Sequence, residues 1–219
     1  MDYGGAMTIE DSTPSNRRSR KKSKTHDDLL RAGLELFASR GFDETTTNDI
    51  AEAADVAQRT LFRHFPTKES LLYGDMDETR RELRQALEER PGDEPVLVAI
   101  RAAFASLADN FERHRSGRLL QARLAATSPS VSAYSRATVQ LSWEREIIEA
   151  VAARLGVDPL VDPRPEVLAG ASMSAVRIAT RQWVATNGTA DFLDLVLAAL
   201  EAITQLASLD LVTVADPVV

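Results

Sequence analysis

Residues 45–72 read TTTNDIAEAADVAQRTLFRHFPTKESLL, and no other stretch leaves this chain so few ways to fold. Thr47 stands as the N-cap of a short helix, with Asp49 in its first turn where a carboxylate suits the helix dipole. Ile50, Ala51 and Ala54 give that helix a small apolar side. Asp55, Val56 and Ala57 make the turn, and a second helix follows over about 58–65. Pro66 ends it, because the residue before a proline is pushed out of the helical region. Thr67 then caps a further helix that begins at Lys68.

On a wheel of about 100° per residue, Leu61 and Phe65 mark the packed side of the second helix, together with Val56 from the turn. Arg59 and Arg63 fall almost opposite, with Phe62 at one flank and Thr60 and His64 at the other. Gln58 sits at the N-terminal tip, where a recognition helix meets bases. Arginine pairs bidentately with guanine and glutamine with adenine. Thr60, His64, Lys68 and Thr47 suit phosphates, and Phe62 either packs on the scaffold or meets a thymine methyl. One arginine on a helix is ordinarily just solvated. Two on a helix this short, in this spacing, favour the reading of double-stranded DNA.

The flanking chain is helical in pattern. Thr25 with Asp28 resembles a capping box ahead of Leu30, Leu34 and Phe37, so a first helix is expected over about 25–40, stopped by Gly41. Residues 1–16 lack periodicity and are expected to be disordered, with Met7 an alternative start. Arg17, Arg18, Arg20, Lys21, Lys22 and Lys24 end that arm and suit phosphates or a minor groove. Leu72, Met76, Leu83 and Leu87 predict one long helix from Lys68 up to Pro91-Gly92. Further helical patterns cover about 95–114, 118–127, 130–155, 164–187 and 190–209, broken at Ser116-Gly117, Ser128-Pro129, Asp158-Pro159, Pro163 and Asn187-Gly188. No stretch alternates like a strand. The fold class is all-α: a three-helix helix-turn-helix domain over 25–72 after an arm of 1–24, then a helical domain over 73–219 for effector binding and dimerisation.

A net charge of −7 speaks at first against a nucleic-acid partner, but its distribution does not. Residues 17–72 carry 11 basic and 9 acidic side chains, whereas 73–219 carry 15 and 21. A mildly basic head on an acidic body is what a protein needs if only the head approaches phosphates. There is no cysteine, so thiolate metal sites and cysteine nucleophiles are out. Apolar runs fall far short of the roughly 20 residues that span a bilayer. A soluble cytoplasmic protein without a membrane partner is expected. His26, His64 and His114 are widely separated and form no metal spacing. With no Ser–His–Asp pattern or glycine-rich phosphate loop either, the expectation is no enzyme, no cofactor and no metal.

The pattern TT-x-x-IA-x-A-x-V-x-x-x-TL(F/Y)-x-HF-x-x-KE-x-L resembles the DNA-binding domain of the TetR family of transcriptional regulators, closely over about 25–72. The resemblance places Thr47, Gln58, Arg59, Thr60, Phe62, Arg63, His64 and Lys68 at the family's DNA-contacting positions. Asp55 stands where the family usually has glycine, in a left-handed position that Asp tolerates. Phe62 replaces the common tyrosine, so one phosphate hydrogen bond is lost. The body agrees in length and pattern, and the family implies a ligand-enclosing domain paired through its last two helices. Independently, Ala169, Gly170, Ala171, Ser172, Ser174, Ala175 and Ala179 permit close helix approach, and Leu193, Leu197, Leu200, Ile203 and Leu206 form an apolar helix. Both suit a homodimer on a palindromic operator.

Phe104, Leu107, Phe111, Leu124, Trp143, Met173, Trp183 and Arg177 are the candidates to line an effector cavity, with ordinary core packing the alternative for each apolar one. The head motif QRTLFRHFPTKE with this body bears a weaker resemblance to the actinobacterial branch near the mycofactocin-system regulator. That implies a hydrophobic or acyl-CoA-like effector. The expected function is a dimeric repressor released from its operator by a small molecule. The alternative is an activator, or a constitutive regulator without effector.

Overall fold

The computed structural model describes residues 14–208, with side chains placed for residues 20–206. The described residues form twelve α-helices and one π-helical turn, with no strand. Contacts divide them into two compact units, separated after Leu72.

The N-terminal unit holds α1 (Pro14–Arg40), α2 (Thr47–Ala53), α3 (Gln58–His64) and α4 (Lys68–Leu72). Here α1 is helical from Pro14, not from Thr25 as the capping pattern predicts. Thr25 lies inside the helix and turns its hydroxyl back to the Lys21 carbonyl at 3.0 Å. A run of Lys and Arg propagates a helix well without any apolar period to betray it. Residues 1–13 of the expected disordered arm lie outside the described residues. The buried side of α1 is Leu29, Ala32 and Phe37, while Leu30 and Leu34 are only half-buried. Gly41, at φ 89°, ends the helix as expected.

Gly33 lets α1 lie directly on α4. A β-carbon there would overlap Leu71 Cδ2. Leu71 is itself fully enclosed, so its side chain has little room to retreat. Reciprocal bonds start α4: the Ser70 amide donates to Thr67 Oγ1 and the Thr67 amide to Ser70 Oγ, each at 3.0 Å.

The single long helix expected from Lys68 is broken at 73–75, before α5 (Met76–Glu88). Gly74 is a poor helix residue. The carboxylate of Asp75, which would cap α5, accepts instead from Gln121 Nε2 at 2.9 Å and makes no cap bond.

After α5 the body continues with α6 (Val96–Ala105), α7 (Ala108–Arg113), α8 (Arg115–Thr127), α9 (Pro129–Tyr134), the π turn (Ser135–Gln140), α10 (Leu141–Leu155), α11 (Arg164–Ala185) and α12 (Phe192–Ser208). The helix expected over 95–114 is two, interrupted where Ser106 Oγ donates to the Ala103 carbonyl at 2.8 Å. Conversely, Ser116-Gly117 does not break the chain; it lies inside α8, and the interruption falls at His114. The core gathers Leu83, Ile100, Phe104, Trp143, Ile147 and Leu200 from four helices. Arg154 of α10 closes one end by donating to the carbonyls of Arg90, Pro91 and Glu94.

Gly33→Ala should lower the denaturant midpoint of the N-terminal unit. The expected loss is about 1–2 kcal/mol, because overpacking against Leu71 outweighs alanine's helix propensity. An unchanged or raised midpoint would mean that α1 and α4 can part without cost.

Candidate nucleic-acid interface

Seven residues are too few for α3 to persist alone, so its neighbours must hold it. The true N-cap of α2 is Thr46, one residue before the expected Thr47. Its hydroxyl accepts from the Asp49 amide at 3.1 Å, and its own amide donates to Asp49 Oδ2 at 2.9 Å, completing a capping box. These Thr46 donors, backbone first, hold the Asp49 carboxyl below the usual carboxylate range.

The far end of α2 closes as a Schellman motif. The Val56 amide donates to Ala51 O at 2.9 Å and the Asp55 amide to Glu52 O at 3.0 Å. Asp55 takes φ 52°, the left-handed conformation its place in the turn predicts. The chain therefore leaves α2 in one direction only. Leu61, fully buried, and Phe65, 3% exposed, pin α3 beside the buried Ile50 and Ala51.

The opposite side of α3 is open. Gln58, Arg59 and Arg63 are exposed, Phe62 is 45% exposed, and Thr60 and His64 are half-buried. Neither Arg59 nor Arg63 has an ion-pair or hydrogen-bond partner among the described residues. Gln58 Nε2 donates to Thr47 Oγ1 at 2.9 Å, tying the tip of α3 to the start of α2. With its own cap duty taken by Thr46, Thr47 is left to orient Gln58.

Lys68 has a duty that the sequence does not reveal. Its ammonium donates to the carbonyls of Phe42 at 2.7 Å and Thr45 at 3.0 Å, and lies 4.2 Å from the Phe42 ring centroid. Two of its three N–H groups thus brace α4 against the loop before α2. His64 packs near His26, with ring centroids 6.0 Å apart. Burial first, then the charges of His26, Arg63 and Lys22, lower its pKa from the ordinary histidine value. At neutral pH it is therefore a neutral, half-buried hydrogen-bonding group. On α1, Arg20, Lys21, Lys22 and Lys24 are all exposed.

The effector candidates scatter. Phe104, Leu107, Trp143 and Met173 are buried in the body's core, where packing alone accounts for them. Leu124 is half-buried, and Arg177 is exposed with a bond to Ser174 Oγ at 3.3 Å, so it does not point to an interior ligand. Two of the eight, Phe111 and Trp183, line a pocket of about 410 Å³. Phe192 joins their aromatic wall, its ring centroid 5.0 Å from each. Asp109, Glu112, Asp191 and Asp194 stand at that pocket with Arg115. Glu112 is paired with Arg115 at 3.1 Å, and Asp191 accepts from the Asp194 amide at the start of α12. Arg118, missed altogether, is 4% exposed. Its only sequence signal is its place with Gln121 on the inward side of α8, where charge is not expected.

Against known proteins, residues 29–73 match the family model "Bacterial regulatory proteins, tetR family", and residues 94–207 match "MftR C-terminal domain". The HTH-type transcriptional regulator TcmR of Streptomyces glaucescens is 34% identical over 80% of this chain and 84% of its own length. MftR of Mycobacterium tuberculosis is 28% identical over 77% of this chain and 84% of its own. Among solved structures, the transcriptional repressor FadR of Thermus thermophilus, in complex with lauroyl-CoA, superposes with a TM-score of 0.53. At 23% identity, over 82% of this chain and 93% of that one, it establishes likeness of fold.

Replacing the brace by Lys68→Met should cost about 1–2 kcal/mol in denaturant unfolding, since two charge-assisted bonds to backbone are lost. An unaltered midpoint would make Lys68 a free surface cation. For His64, the unfolded chain binds the proton more readily than the folded one. Stability should therefore fall as pH drops through the ordinary histidine value of about 6.5. His64→Gln should flatten that fall in a pH series of thermal midpoints.

Proposed function

The chain belongs to the TetR family of bacterial regulatory proteins, and from that premise we propose that it is a homodimeric repressor released from a palindromic operator by a small-molecule effector. It is a DNA-binding transcriptional regulator and not an enzyme. The DNA-reading part is carried by one observation: the open side of α3, where Arg59 and Arg63 stand unpaired among the described residues beside an exposed Gln58 oriented by Thr47, on a helix pinned by Leu61 and Phe65.

In this reading Arg59 and Arg63 pair with guanines, and Gln58, preset by Thr47, meets an adenine. Thr47, Thr60 and neutral His64 approach phosphates, and Lys68 adds its remaining N–H. Phe62, half out of the surface, meets a thymine methyl. Such a helix reads one half-site, and a two-fold operator needs a second copy.

The exposed side of α11 suits that pairing. Val167 is 65% and Ile178 38% exposed, with the small Gly170, Ala171 and Ser174 between them, half-buried. On α12, Leu206 is 65% exposed. Apolar side chains in such numbers on a two-helix face favour burial against an identical face.

Effector release rests on the pocket lined by Phe111, Trp183 and Phe192. The lauroyl-CoA in the Thermus regulator is a precedent for an apolar, acyl-CoA-like effector in this fold. A ligand that binds the DNA-free arrangement better must weaken DNA binding by the same factor as DNA weakens its own.

Fluorescence anisotropy with the DNA upstream of the protein's own gene tests the reading. Arg59→Ala and Arg63→Ala should each cost about 1–3 kcal/mol and relax the preference for one base pair. Equal binding by wild type and both variants would remove α3 from the interface. A DNA complex holding one chain per site would remove the dimer.

A further inference from the structure

Arg118 is a buried cation that no carboxylate neutralises directly among the described residues. Its Nη2 donates to Thr79 Oγ1 at 2.7 Å and Asn110 Oδ1 at 2.9 Å, both neutral acceptors. Its Nε and Nη1 are buried without a hydrogen-bond partner. No carboxylate forms an ion pair with it among the described residues. Asp75 and Glu82 act on it only through space, being engaged by Gln121 at 2.9 Å and Asn110 at 2.8 Å. Desolvation outweighs their effect and lowers the pKa of the guanidinium.

Folding gives weak reason to keep such a group, whose gains are two neutral acceptors and one ring face. Thr79 donates to Asn110 Oδ1 at 2.8 Å, and Asn110 donates to Glu82, so the polar network closes without Arg118. An unpaired buried charge is destabilising, and an apolar residue of similar volume is often tolerated better in its place. Positions that oppose stability in this way tend to be held by function.

The guanidinium also lies 4.5 Å from the centroid of the Phe111 ring. Phe111 is the same residue that lines the pocket with Trp183 and Phe192. One ring is therefore common to the cavity and to the unpaired cation. We infer that Arg118 receives the anionic head of the effector, with Nε and Nη1 as its donors and the Phe111 ring moving aside to admit it. The ligand class is an amphiphile: an apolar frame for the aromatic wall, and a carboxylate or phosphate for the fork of the guanidinium. Thr79 and Asp75 lie on and just before the first turn of α5, so a head group that draws Arg118 from Thr79 acts on the helix that follows the break at 73–75. This inference rests on the proposal that the body binds an effector.

Two fluorescent probes with one aryl skeleton test it on the full chain. Anilinonaphthalene sulfonate carries an anion, and phenylnaphthylamine lacks it. The wild type should bind the sulfonate more tightly. Arg118→Met should weaken the sulfonate by roughly tenfold, the worth of one charge-assisted hydrogen bond, and leave phenylnaphthylamine binding in place. Its thermal midpoint should not fall. Arg118→Lys, which keeps the charge but not the fork, should retain part of the preference and covers the case in which the Met variant fails to fold. Equal affinity of the wild type for both probes overturns the role of Arg118 while leaving an effector site standing. Loss of both probes together with a lower midpoint makes the residue structural and overturns it too. Binding of neither probe by the wild type removes the effector reading as well. Displacement of the sulfonate by laurate identifies a carboxylate head and displacement by lauroyl-CoA a phosphate one; displacement by neither overturns the class.

Discussion

The side of α3 that meets solvent is decided by the side that cannot. Leu61 is sealed and Phe65 nearly so, and burying each contributes about 1.5–3 kcal/mol to a helix with no independent stability. The rest of the head serves that burial. Thr46 and Asp49 begin α2, Asp55 turns the chain at φ 52°, and the Lys68 ammonium ties α4 to the loop carbonyls of Phe42 and Thr45. With those fixed, Arg59 and Arg63 have only one direction in which to point. Exposure of a cation without a partner is here a product of packing elsewhere.

The body follows a different economy. Its apolar core, from Leu83 to Leu200, is conventional, but beside it runs a polar seam of Asp75, Thr79, Glu82, Asn110, Arg118 and Gln121. Buried polar networks demand full satisfaction, and this one leaves part of a guanidinium unsatisfied. The seam lies on α5, α7 and α8, and α5 is the first helix after the break at Gly74. Polarity inside the body and discontinuity in the chain thus occur on the same helix.

How much of this the sequence discloses depends on the kind of force involved. The helix-turn-helix is legible because its determinants are local: Pro66 stops α3, Thr67 starts α4, and Asp55 sits where a left-handed residue is required. The cap of α2 is off by one because Thr45, Thr46 and Thr47 offer the same hydroxyl, and only the Asp49 geometry selects Thr46. The basic start of α1 escapes notice because a helix of charged residues has no hydrophobic period. The break after Leu72 is hidden by an apolar stripe that continues across it, while its cause, Gln121 holding Asp75, lies far along the chain. Lys68 and Arg118 fail for one shared reason. Pattern reading sends every cation outward, whereas Lys68 finds carbonyls and Arg118 lies under Phe111. Of the eight effector candidates, only Phe111 and Trp183 reach the pocket, because apolar residues in a helical body are core first.

A helix of basic residues differs from a basic tail in what it offers a distant polyanion. From Pro14 to Lys24, α1 advances only about 1.5 Å per residue, less than half the reach of the same chain extended. Arg20, Lys21, Lys22 and Lys24 fan around its axis at about 100° steps, so no groove can receive all of them together. What survives at distance is their summed field, in a chain whose residues 73–219 carry 15 basic against 21 acidic side chains. A field of that kind acts on the rate of arrival at a polyanion, and salt erases it before it erases recognition.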